Sequence, residues 1–385
     1  MTDLAARIAP LVALRRDIHA HPELGFAEHR TAGLLAQQLR SIGLEVHEGI
    51  GGTGVVATLR VGNGPRSIGL RADMDALPID EKTGLPYAST IPGCFHGCGH
   101  DGHMAMLLGA AQVLAADHGG LNGTVHFIFQ PAEEGQGGAK AMIEDGLFDR
   151  FPCDRVYALH NWPSLPAGTI ATRAGPIMGA ADRFTILLKG KGGHAAIPHD
   201  AHDVVLAGAA LVQQLHSIVA RNIPASANAV LSITQIHGGQ AFNVIPHEMS
   251  VGGTVRTFDP AVQDRIEQRL RQIASGIAAR FEAQASVEYS RYYPATINDP
   301  QAAQDALDAA ATVGTALRAP EPAATSEDFS FMLQVRPGAY IWLGQGVGDN
   351  PPPLHNPHYD FNDGVMETGI RLHLGLVRHW LGDAA

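Results

Sequence analysis

Residues 183–293 run strand, helix, strand, strand, helix, strand, and this order limits the possible folds more than any other feature. Residues 183–191 alternate apolar and polar side chains, 203–219 carry a helical repeat, 230–237 and 249–257 read as strands, 260–281 as a long helix and 285–293 as a closing strand. The β-α-β-β-α-β order is that of a ferredoxin-like unit. It interrupts a different pattern. Helices are expected over 4–18, 31–42 and 102–116, and strands over 54–61, 68–71, 124–130 and 155–160. A helix at 301–316, a strand at 339–343 and a helix at 363–381 follow the interruption. Strands alternating with helices form α/β sheets with many parallel neighbours. A chain of 385 residues has room for two domains of ordinary size. The expectation is an α/β domain, a mixed sheet flanked by helices, formed by residues 1–179 and 293–385, with a ferredoxin-like α+β domain inserted at 180–292.

Composition narrows the function classes. Hydrophobic residues make up 45% and charged residues 17%, enough to bury a large core and too apolar for a disordered chain. Lys and Arg number 27 against 38 Asp and Glu, a net charge of −11 without a basic cluster, so nucleic acid is not an expected partner. Three cysteines, few and odd in number for this length, fit a reducing compartment and lead us to expect a cytoplasmic protein. No stretch approaches 18 uncharged apolar residues, and Asp3, Arg7, Arg15 and Arg16 interrupt the first apolar runs, so neither a membrane span nor a signal peptide is expected. Histidine is abundant at 20 copies, which directs attention to metal ligation and acid–base chemistry.

In open α/β sheets, ligands bind beyond the carboxyl ends of the strands. Five segments deliver Asp, Glu, His or Cys there. R-A-D-M-D-A-L-P holds Asp73 and Asp75, G-C-F-H-G-C-G-H-D-G-H precedes a helix, Q-P-A-E-E-G holds Glu133 and Glu134, one strand ends at His160, and P-P-P-L-H-N-P-H-Y-D-F-N-D holds His355, His358, Asp360 and Asp363. Cys98 and His100, one residue apart, point to one side of an extended segment and suit a zinc-like ion. Cys94 and His96 repeat the spacing and serve equally well. Asp101 is a candidate to hold a ring nitrogen of a ligating histidine. Adjacent Glu133 and Glu134 suit one metal ligand and one general base, in either order. Each segment also has a structural reading: Asp73 and Asp75 as turn caps, the glutamates as a solvated turn, His160 as a core histidine. Their convergence on one edge favours a metal-dependent hydrolase.

Other chemistries fit less well. G-I-G-G-T-G at 49–54 precedes a strand instead of following one, so the dinucleotide-binding context is missing. The chain has no phosphate loop, no G-x-S-x-G elbow and no H-E-x-x-H helix. Cys98 as a nucleophile, with His100 or His160 as its base, leaves the paired glutamates without a role.

Eight motifs, in order along nearly the whole chain, resemble the amidohydrolase branch of the dinuclear-metal aminoacylase and carboxypeptidase family: R-A-D-M-D-A-L-P, G-C-G-H-D-G-H, Q-P-A-E-E, L-H at 159–160, G-G-H-A-A-I-P-H, N-V-I-P, G-T-V-R-T and L-H-N-P-H-Y-D-F-N-D. The resemblance implies a metallopeptidase-like α/β domain with an inserted lid. It implies Cys98, His100, Glu134, His160 and His355 as ligands of two divalent metal ions, drawn from Zn, Mn, Co and Ni, and Glu133 as general base. It implies His194, Asn243 and Arg256 on the lid as substrate-contacting groups, His194 with a catalytic part. Arg71 and Cys98 stand where the peptidase branch has a metal-binding His and an Asp, which turns the expectation away from aminopeptidases. The activity implied is hydrolysis of N-acyl amino acids, hippurate-like substrates, by a homo-oligomer, a dimer or tetramer. A dipeptidase or carboxypeptidase, or a non-catalytic metal-binding homologue, is the alternative.

Overall fold

The computed structural model describes residues 4–346, 348 and 350–382. Asp3, one of the residues that break the first apolar run, lies outside them. The chain forms two compact units, Met1–Ile177 with Ile297–Glu321 and Asp328–Ala385, and Met178–Thr296 with Pro322–Glu327.

The first unit is built on an eight-stranded mixed sheet, ordered Glu45–Ile50, Gly54–Val61, Gly123–Gln130, Ser67–Asp73, Arg155–Pro166, Gly338–Gly346, Thr169–Thr172, Thr315–Arg318. Its four central strands, from Gly123–Gln130 to Gly338–Gly346, are mutually parallel. Their carboxyl ends therefore lie along one edge. Antiparallel pairs flank them, Gly54–Val61 on one side and Thr169–Thr172 on the other. Ser67–Asp73 is buried throughout, as expected of a parallel strand covered on both faces. Beyond its polar first turn, helix His100–Ala116 is mostly apolar, because it is buried along most of its length. It packs against the helices Leu4–Ala20 and Met366–Leu381. Gly102 lets Phe361 approach: a β-carbon there would stand 2.3 Å from the ring.

Several sequence expectations shift. The strand carrying His160 runs on to Pro166, because Gly338–Gly346 continues to pair with it. The short strands Glu45–Ile50, Thr169–Thr172 and Thr315–Arg318 were not legible as strands, and the helix expected at 301–316 ends at Ala311. Glu45–Ile50 and Thr315–Arg318 are the edge strands, where exposed residues blur the apolar pattern, and Thr169–Thr172, although buried, is only four residues long.

The second unit has a four-stranded antiparallel sheet in the order Ala229–Gly238, Glu248–Thr257, Ala180–Lys189, Gln284–Tyr293. Taken in chain order this is 2-3-1-4, the ferredoxin-like arrangement. Helices Val204–Leu215 and Pro260–Arg280 share an apolar core with the sheet through Phe184, Ile186, Leu211, Val251, Ile266 and Leu270. Asp203 caps the first helix, accepting the Val205 and Leu206 N–H groups, and so precedes the helix instead of joining it.

Candidate metal centre

The parallel strands bring three loops of the first unit together. Ser67–Asp73 ends in the M-D turn, Gly123–Gln130 in the Q-P-A-E-E turn, and Arg155–Pro166 carries His160. Asp75 links two of these. Its carboxylate accepts the backbone N–H of Glu133 at 3.0 Å and of Glu134 at 2.9 Å, and its carbonyl lies 2.8 Å from His100 Nδ1. Asp75 thus clamps both glutamates and orients the His100 ring. That contact makes Nδ1 the donor to the Asp75 carbonyl, so Nε2 is the ring nitrogen that would face a cation once it has lost its own proton.

Cys98, His100 and Glu134 each offer a ligating atom, all within 4.8 Å of one another. His160 Nε2 lies 3.4 Å from Cys98 Sγ, and its Nδ1 lies 2.7 Å from the Asn161 carbonyl. His355 Nε2 lies 3.1 Å from Glu134 Oε1. His355 holds a left-handed backbone, φ 64°, in a loop pinned by its N–H to the Gly97 carbonyl. The structure therefore brings together the five residues expected as ligands. Glu133, buried beside them, follows the same clamped turn. Among the described residues Cys94 and His96 join no group of three ligating side chains, which removes that alternative.

The electrostatics call for a cation. Burial, reinforced by the Glu134, Glu133 and Asp73 carboxylates, pushes the Cys98 thiol well above its ordinary value. Burial and the neighbouring His103 and His100 push His160 well below. Burial acts against a charged His100, but Asp73 and Asp75 outweigh it and raise the ring to about 10. His100 Nε2 is buried and makes no hydrogen bond among the described residues. Imidazole nitrogens, a thiol and carboxylates converging with a buried, unpaired nitrogen match the donor set of a borderline-soft divalent ion.

Other polar residues complete the surroundings, and one of them, His103, was not singled out in the sequence. His103, three residues after His100 and on the same helix face, lies 2.6 Å from Asp73 Oδ1 and 2.5 Å from Asn161 Oδ1. The H-D-G-H spacing was the signal for it. Arg71 donates to Gln130, Asp73 and Asp328, filling with a fixed guanidinium a place close to the ligands. Asp101 does not reach the His100 ring. It points the other way, accepting from Arg15 at 3.2 Å and contacting His19 Nδ1 at 2.8 Å, since neighbouring helix residues diverge around the axis. Burial alone would lower His19, yet Asp101 overrides it and pushes the ring up to about 9.

In the second unit His194 lies in a two-stranded ribbon, Gly193–His194 against Val244–Ile245, and Asn243 is in the turn just before the second strand. His194 faces Val244, and the Ala195 N–H donates to the Asn243 carbonyl at 3.0 Å. His194 is exposed, so its ring is available to a ligand. Arg256 lies elsewhere, in the strand Glu248–Thr257, where burial lowers its guanidinium and Val255 and Thr254 take its donors.

The chain is similar to known proteins. The model of the peptidase family M20/M25/M40 matches residues 69–379. The chain is 40% identical over 375 residues to hippurate hydrolase of Campylobacter jejuni, covering 96% of either chain. It is 40% identical over 357 residues to N-acetylcysteine deacetylase of Bacillus subtilis, covering 92% of this chain and 93% of that one. A crystal structure from Bacillus subtilis described as a dinuclear metal binding peptidase of the M20 family superposes with a TM-score of 0.86 at 34% identity, over 97% of this chain and 98% of that one.

Proposed function

The chain belongs to peptidase family M20/M25/M40, and from that premise we propose that it hydrolyses the amide bond of N-acyl amino acids, releasing a carboxylic acid and a free amino acid. The observation that carries this reading is the meeting of Cys98, His100 and Glu134 within 4.8 Å beside a second, buried glutamate. A pure binding site has no use for that second carboxylate.

Cys98, His100, Glu134, His160 and His355 would hold two divalent ions, and the soft Cys98 sulfur would bias the choice toward zinc. When bound, such ions polarise the amide carbonyl and make water a stronger acid. Glu133 takes the proton of the attacking water and passes it to the departing amine nitrogen. Asp75 keeps Glu133 and Glu134 in register through their backbone N–H groups. His194 donates to the carbonyl oxygen as negative charge develops, and Asn243 and Arg256 bind polar groups of the substrate, in their own subunit or for a partner. Residues 180–292 act as the lid, and the protein works as a cytoplasmic homo-oligomer.

Two relatives that act on N-acylated amino acids support this substrate class. A relative named thermostable carboxypeptidase, 38% identical, keeps carboxypeptidase activity as the second reading. Metal analysis of the purified protein, with turnover measured on hippurate, N-acetylcysteine and an unblocked dipeptide, separates them. Turnover of the dipeptide alone overturns the first reading.

A further inference from the structure

Residues 21–28, H-P-E-L-G-F-A-E, contribute nothing to the ligand set, yet they lie against two of its loops. Leu24 forms a parallel bridge with Ala76, and the Ala76 N–H donates to the Glu23 carbonyl at 2.9 Å. A β-carbon on Gly25 would stand 3.0 Å from Ala132 Cα, so this backbone abuts the Q-P-A-E-E turn directly. Glu28 is fully buried. One of its oxygens accepts the Ala132 N–H at 2.8 Å, and the other accepts the Thr53 hydroxyl at 2.5 Å.

Ala132 is the unusual partner. Its φ is 52°, in the left-handed region that an alanine enters only when its surroundings hold it there. The turn is tight on its other side as well: a β-carbon on Gly138 would stand 1.7 Å from the Pro131 carbonyl oxygen, and the Gly138 N–H donates to the Ala132 carbonyl at 3.0 Å. The next two N–H groups belong to Glu133 and Glu134, and Asp75 accepts both. Two carboxylates from distant segments thus hold three consecutive N–H groups.

We propose that Glu28 is a positioning residue of the hydrolytic site: its carboxylate holds Ala132 in the left-handed conformation and so sets the direction in which Glu133 and Glu134 leave the strand. This rests on the reading of Glu133 as base and Glu134 as ligand. Loss of the Glu28 acceptor frees Ala132 to relax, and the two glutamates swing with it. Glycine at this position enters the left-handed region without strain, so the turn then depends less on Glu28.

The test compares wild type, E28A, E28Q, A132G and the double variant E28A/A132G. Three quantities are read: kcat and KM on an N-acyl amino acid, metal content, and hydrogen–deuterium exchange of the peptide covering residues 128–136 in metal-free protein. Displacement of a reacting group by about 1 Å costs on the order of 100-fold, so E28A lowers kcat by about that factor with KM less affected. Exchange in the peptide speeds up in parallel. E28Q stays close to wild type, because its amide oxygen accepts the Ala132 N–H and its amide nitrogen donates to Thr53. A132G added to E28A restores slow exchange and recovers roughly a tenth of the lost turnover. Wild-type kcat and exchange in E28A overturn the proposal, as does a double variant no better than E28A in both readouts. If E28A does not fold, E28M replaces it, filling the space without accepting a hydrogen bond. Folding of either variant only when A132G is added supports the proposal, and failure of both in either background overturns it. Exchange is read without substrate or metal, and E133Q tests the base assignment separately, so failure of the functional reading leaves the Glu28 result standing.

Discussion

Cys98 Sγ and His160 Nε2 lie 3.4 Å apart although 62 positions separate them in the chain. Neither carries a charge as they stand, since burial and nearby carboxylates hold the thiol protonated while burial and His103 hold the imidazole neutral. A neutral imidazole is ready to ligate a metal, whereas the thiol must first lose its proton.

Metal loading is therefore coupled to proton release. Calorimetric titration of a divalent ion into chelator-stripped protein should give a heat that varies with the ionisation enthalpy of the buffer, and affinity should fall as pH falls. C98A weakens both effects, leaving the proton that His100 gives up, and lowers occupancy. C153A leaves occupancy unchanged, because Cys153 is buried against the Phe151 carbonyl, away from every ligand. Full hydrolytic activity of stripped protein would refute the metal dependence.

The two adjacent glutamates are expected to separate in metal content. E133Q should retain its metal and lose about 10²–10⁴-fold in kcat, since an amide takes no proton. E134Q should lose metal first, having removed the carboxylate within 4.8 Å of Cys98 and His100. Metal analysis beside steady-state kinetics reads both, and reversed results exchange the two roles.

His194 sits exposed on its ribbon, and among the described residues its ring is hydrogen-bonded through Nδ1, which accepts the Ala196 N–H at 3.1 Å. Nε2 is the nitrogen left to donate. H194A should cut kcat by about 10²-fold, the usual cost of one donor to a developing oxyanion, with metal content and melting temperature unchanged. An unaltered kcat/KM would return this residue to a local turn role.

Stability should fall in mild acid for a reason unrelated to the metal. His126 is buried within the sheet strand Gly123–Gln130, its Nδ1 2.9 Å from the hydroxyl of Thr58 on the neighbouring strand, and burial followed by the nearby Arg60 lowers it to about 4. Its unfolded value is about 6.5. The folded pKa is depressed, so the unfolded chain binds more protons; the stability contributed by neutral His126 is whole above about pH 6.5 and drains away as pH falls toward about 4. Between about pH 7 and pH 5 this amounts to roughly 1–2 kcal/mol. Urea unfolding of metal-free wild type and H126Q at the two pH values should show a smaller pH dependence in the variant.

Much of the site could be read in the sequence because its chemistry is concentrated in short, unusual strings. C-G-H, P-A-E-E and the His160 strand announce ligand types, and the alternation of strands and helices announces that their ends share an edge. Other parts were silent. Nothing near Glu28 signals a bond to Ala132, 104 positions away. Asp101 was misread because adjacency in sequence suggested contact with His100, while the helix turns the two apart.

The sequence by itself determined most of the longer elements and which segments carry metal-ligating chemistry, since periodicity and residue type are local properties. Only the tertiary structure decided which of two Cys-x-His pairs meets the glutamates, which carboxylates clamp their backbone, and which histidine nitrogen is left bare. Those outcomes depend on hydrogen-bond geometry between segments far apart in the chain, where a partner is chosen by distance and burial and leaves no local pattern.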